Sequence, residues 1–115
     1  VYLRLISTAV ALAATSTVFG ASVSAEDRKA CSVSSSLGKT VMEARQAGMP
    51  MSELMDVFSK PGRADDGEFG RTLVEWAFED PRYSTEEAKE RAIRDFENEV
   101  YRACYQRAKE RASQK

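Results

Sequence analysis

Histidine is absent from the 115 residues, and cysteine occurs twice, as Cys31 and Cys104. Those two facts bound the chemistry. Without histidine the usual general base near neutral pH is missing. Ser-His-Asp and Cys-His nucleophile systems are excluded, as are the histidine-bearing zinc sites. Carboxylates are plentiful, so paired-acid chemistry needs inspection. Glu75 with Glu79, and Asp95 with Glu99, each stand four apart and would share one helix face. A solvated helix surface accounts for both pairs, and a small carboxylate-dependent hydrolase is the enzymatic alternative they leave. Asp65, Asp66 and Glu68 lack the alternating ligands of a calcium loop. Gly62, Gly67 and Gly70 are irregularly spaced around Arg63 and Arg71, with no strand before them, so no phosphate cradle is formed. No motif calls for a cofactor or a metal.

Two groups of residues carry the potential for binding. Met42, Met49, Met51 and Met55 flank a Gly-Met-Pro-Met turn, and flexible thioethers suit adaptable contact surfaces. Tyr101, Arg102 and Tyr105 lie in a closing segment whose residues 100 to 115 hold five basic side chains against one acid. Aromatic rings beside arginines can meet a partner protein, an anionic membrane or a nucleic acid. They equally describe an amphipathic last helix whose rings cover the edge of the core. Trp76, the only tryptophan, stands near Phe69, Leu73 and Phe78 and reads as core, with a partly exposed aromatic groove as the alternative.

The elements that position these residues begin with a leader, residues 1 to 25, and the pattern predicts its export and removal. Residues 5 to 19 carry no charge, Arg4 precedes them, and Val23-Ser24-Ala25 offers the small residues a signal peptidase selects. Cleavage is expected between Ala25 and Glu26. The apolar run is too short for a membrane span. Residues 26 to 115 then form one domain, with 16 Lys+Arg (all but Arg4) against 18 Asp+Glu. This near-neutral balance argues against nucleic-acid binding and against membrane contact. In a periplasmic or secreted setting the even cysteine count predicts a Cys31–Cys104 disulfide. Closing a loop of about 72 residues would raise the free energy of the unfolded chain by roughly 4 kcal/mol.

No alternating strand pattern appears, and the spacing predicts an all-α fold. A first helix is expected from Ser32 to Ala47, with Val33, Leu37, Val41 and Ala44 as its apolar stripe. Gly48 and Pro50 end it, and Gly38 inside it would permit close approach of a neighbour. A short second helix is capped by Ser52 and stopped by Pro61-Gly62. Asp65 and Glu68 offer a capping box for a third, which ends at Asp80-Pro81. Ser84 and Glu87 offer another for a long fourth helix reaching about Ala112. On it Ile93, Phe96, Val100 and Cys104 form the apolar stripe, with Glu87/Arg91 and Glu90/Arg94 as supporting pairs. The disulfide would set the first and fourth helices antiparallel. The sum is a small compact bundle of about four helices, two long and two short, pinned by one disulfide.

By elimination, the expected function is non-enzymatic: a secreted or periplasmic protein-binding module whose partner is another envelope protein. The architecture is similar to that of small acid-stress chaperones of the bacterial periplasm, which are helical and held by one disulfide, although no motif is shared. That likeness implies a periplasmic acid-stress chaperone as the alternative, with the 18 acidic side chains titrating well below pH 6.

Overall fold

The computed structural model describes residues 22–61 and 64–114, with the side chains of residues 64–66 excepted. Four helices follow one another: α1 (Ala25–Gln46), α2 (Met51–Val57), α3 (Ala64–Ala77) and α4 (Glu86–Ser113). No strand occurs among the described residues. Cys31 and Cys104 are bonded, with an S–S distance of 2.07 Å and Cα atoms 5.5 Å apart. The start of α1 therefore lies beside the far part of α4, and the two long helices run antiparallel along their lengths. α3 packs mainly on α1, and α2 packs on α3.

The helix starts differ from those expected, and caps explain why. α1 begins at Ala25 rather than Ser32. Ser24 is its N-cap and accepts a hydrogen bond from the Asp27 amide at 3.0 Å. Glu26 and Asp27 complement the exposed amides of the first turn. The charged run after Ala25 is thus a helix opening. Val23 is buried, and its carbonyl accepts from Arg28 Nη1 at 2.8 Å. The residues expected for signal-peptidase recognition therefore border this first turn, and a cut after Ala25 would remove its cap. Residues 5 to 19 lie outside the described residues.

α2 is entered through Pro50, not Ser52, and has no side-chain cap. α3 begins at Ala64, so Asp65 lies within it and not before it. α4 is capped by Thr85, whose hydroxyl accepts from the Ala88 amide at 3.2 Å, one residue later than Ser84. The Glu87–Arg91 pair forms at 3.3 Å, whereas Glu90 and Arg94 form no ion pair. Lys89 instead meets Glu86 at 3.7 Å.

Around α1 the expected stripe splits. Val33 is 67% exposed. Facing α4 is a different row, with Cys31, Ser35, Gly38 and Met42 buried. A Cβ on Gly38 would stand 2.8 Å from a Val100 methyl, so glycine is what lets α4 come this close. Leu37, Val41 and Ala44 do pack inward, in or against the central core. α1 thus has two apolar faces meeting different neighbours, and only their overlap was visible as a stripe.

The core gathers Val41, Met42, Leu54, Phe58, Leu73, Val74, Ala77, Phe96 and Val100. Trp76 meets Phe96 edge-on at 5.2 Å between ring centroids, a geometry the ring quadrupoles favour. Gly70 lies directly under the Phe58 ring, where any side chain would collide. That contact holds α2 to α3, and Arg71 Nη1 reinforces it by donating to the Phe58 carbonyl at 2.7 Å.

The connection from α3 to α4 is fastened to the end of α1. Gln46 is 1% exposed, and its amide is fully used. Its Nε2 donates to the Pro81 carbonyl at 3.0 Å, and its Oε1 accepts from the Tyr83 amide at 2.9 Å. Arg45 donates to the Asp80 carbonyl and lies 4.4 Å above the Phe78 ring. Arg82 donates to the Gln46 carbonyl at 3.2 Å and packs against Gly48, whose φ of 92° favours glycine.

Candidate functional site

The residues singled out from the sequence do not converge. Met42 is fully buried in the core, its sulfur 3.5 Å from Gln46 Nε2. Met55 is half-buried against the same core. Only Met49 and Met51 reach the surface, at 38% and 37% exposure. The four methionines therefore form no single surface. Tyr101 and Tyr105 stack at 6.2 Å with ring planes 18° apart, and Arg102 beside them is exposed. This ladder presents a surface, but no concavity accompanies it.

The carboxylate pairs lie on exposed faces. Glu75, Glu79, Asp95 and Glu99 are accessible or partly so. Glu99 has a perturbed affinity for protons. Partial burial raises its pKa above the ordinary value, Asp80 and Asp95 raise it further, and Arg102 opposes them. Among the described residues, no three acidic or cysteine side chains are grouped to hold a metal ion. Cys31 and Cys104 are consumed in their bond, so no free thiol is left.

The concavity lies elsewhere, where α3 stands off from α4. It has a volume of about 460 Å³. Phe69, Thr72, Leu73 and Trp76 form one wall, at the spacing of a single helix face. Val100, Ala103, Arg107 and Arg111 form the other, again one face of one helix. Ser34 contributes from α1, and Cys104 brings the disulfide into the lining. The volume is within the range of ordinary ligand sites. Its shape is an open trough: Thr72, Glu68, Arg107 and Arg111 are exposed, and Phe69 and Trp76 are half-buried.

The trough has an aromatic end and a basic end. Trp76 touches Phe96, one turn before Val100. Arg111 lies about 16 Å further along α4, at 1.5 Å per residue. Arg111 reaches Asp27 at 3.7 Å, in an exposed pair worth at most about 1 kcal/mol. Arg107 makes no ion pair with any described residue. Among the described residues, Glu68 is the one carboxylate in the lining.

Sequence reasoning counted Arg107 only among the five basic side chains of residues 100 to 115, and did not single out Ser34. Trp76 serves in both of the ways considered for it, with one edge in the core and one in the trough. The available signal was the breadth of the α3 face: Phe69, Thr72, Leu73 and Trp76 exceed what one neighbouring helix can cover.

No protein-family model, no curated protein and no solved structure matches the chain.

Proposed function

We propose that this protein is a non-enzymatic binding module of the periplasm or another oxidising extracytoplasmic space, and that it docks a segment of another envelope protein in the α3–α4 trough. One observation carries the reading. Two helix faces present apolar and aromatic side chains to each other across an unfilled gap with a cationic end. A surface of this kind, apolar with a charged rim, is what protein contacts use. The compartment is supported by the Cys31–Cys104 bond, since disulfides persist where the surroundings are oxidising. It is compatible with the finding that no helix among the described residues is long and apolar enough to cross a membrane.

A photo-crosslinking residue placed at Thr72, in the trough, should capture one identifiable protein in living cells. The same residue at Asn98, exposed on α4 and outside the trough, should not. Equal or absent adducts at the two positions across growth conditions would overturn the proposal.

A further inference from the structure

We infer that the occupant of this trough is an acidic amphipathic α-helix of about three turns, whose carboxylate faces Arg107. The inference rests on the binding reading above and specifies the chemistry of the partner. Its length follows from the walls: Val100 to Arg111 spans about 16 Å, which three helical turns match.

The occupant is helical because both walls are helices. Their backbone groups are spent internally, and no strand edge lines the trough. An extended peptide lying there would bury amides and carbonyls without partners. A helix satisfies its own backbone and brings only side chains to the contact. The middle of the trough is lined by the small side chains of Ser34, Thr72 and Ala103, which admit a helix closely. Phe69 and Trp76, over a floor of the buried Leu73 and Val100, then receive its apolar stripe.

Openness argues against a small molecule. Ligand sites usually enclose most of their ligand, with 70–90% of its surface buried as a rough guide. This trough leaves its upper side to water, which suits a helix that keeps its own polar face exposed. Charge sets the sign of the occupant. Among the described residues Arg107 pairs with no carboxylate, and Arg111 has one exposed contact, with Asp27. Glu68, on the opposite wall, favours a basic side chain on the α3 side of the docked helix. An acid on the α4 side of the docked helix therefore fixes its register.

The test uses two capped model helices of about three to four turns. They share a leucine stripe at i, i+3, i+4 and i+7, with glutamate on the flanks of one and lysine on the flanks of the other. Trp76 is the only tryptophan and lies in the trough, so its emission reports occupancy directly. The acidic helix should bind about tenfold more tightly than the basic one. Arg107→Glu should reverse that order, with helicity by circular dichroism unchanged because Arg107 is exposed. Asn98→Glu should change neither affinity. Equal binding of the two helices, or an unchanged order in Arg107→Glu, overturns the inference. So does saturation of the trough by decanoate when neither helix binds, or sedimentation showing that a second copy of the chain fills it. If the helices fail while the Thr72 crosslink persists, this inference falls and the binding reading stands. If the Thr72 crosslink fails, the reading itself falls.

Discussion

The two ends of the α1–α4 pair are held by different means. At the end where α1 finishes, it is enclosed by α2, α3 and the connection of residues 78–83. There Met42 and Gln46 have essentially no exposure, and even a polar amide is matched bond for bond. At the other end, residues 25–34 of α1 lie against the last turns of α4, and α3 stands away. Ion pairing there is, among the described residues, one exposed contact, and the strong link is the disulfide. In a small domain the apolar area is too limited to close both ends by packing. The covalent bond holds the thin end, and α3 can leave a trough open beside it.

The largest effect should come from the packed end. Phe96→Ala removes a ring that is 1% exposed and meets Trp76, and should cost about 4 kcal/mol in urea unfolding. A loss under about 1 kcal/mol would mean that this end is not the main source of stability. Replacing both Cys31 and Cys104 with serine should cost about 3 kcal/mol. Its distribution matters more than its size. Hydrogen exchange should accelerate first at residues 25–34, while the amides around Met42 stay protected. Uniform acceleration would erase the contrast between the ends.

Gln46→Ala should cost about 2 kcal/mol, because the Pro81 carbonyl and the Tyr83 amide both lose their partner. The same loss in a Gln46→Glu variant would show that the donor to Pro81 is the essential half. The smallest effect concerns Glu99. Its folded-state pKa is raised, so the folded chain holds that proton more tightly than the unfolded chain. The stability it contributes is complete below the unfolded value and is lost as pH rises through the folded one. Glu99→Gln should therefore raise the thermal midpoint slightly at neutral pH, and the gain should vanish by about pH 3.5. A gain that persists in acid would assign the effect to something other than this carboxylate.

Much of the bundle was legible because its signals are local. Apolar residues at helical spacing, Gly48 with Pro50, Pro61 and Pro81 marked four helices, and an even cysteine count paired the ends. The helix starts slipped where neighbouring residues competed as caps, as with Ser84 and Thr85. Val33 was misplaced because spacing alone does not say which of two faces of α1 a neighbour will choose. Gln46 was silent for a similar reason: a buried amide has meaning only once Pro81 and Tyr83 are brought to it by a connection some 35 residues downstream. The trough is a spacing between α3 and α4, and no stretch of sequence contains it. Arg107 could be recognised as a charge without an ion pair among the described residues only once the lining of the trough was placed.

The Cys31–Cys104 bond also determines how the molecule would carry a load. The bond closes a ring that contains α2, α3, most of α1 and most of α4. A pull applied to the two ends of the chain enters this ring at Cys31 and leaves it at Cys104, passing through the sulfurs. Everything between them is mechanically bypassed. Tension could peel the first turns of α1 from the last turns of α4, yet it would not stretch the core or pry α3 from its place. A protein tethered at one end and gripped at the other would keep the Phe69–Trp76 wall and Val100 in place for as long as that bond stayed oxidised, while Arg107 and Arg111, beyond Cys104, would take the load.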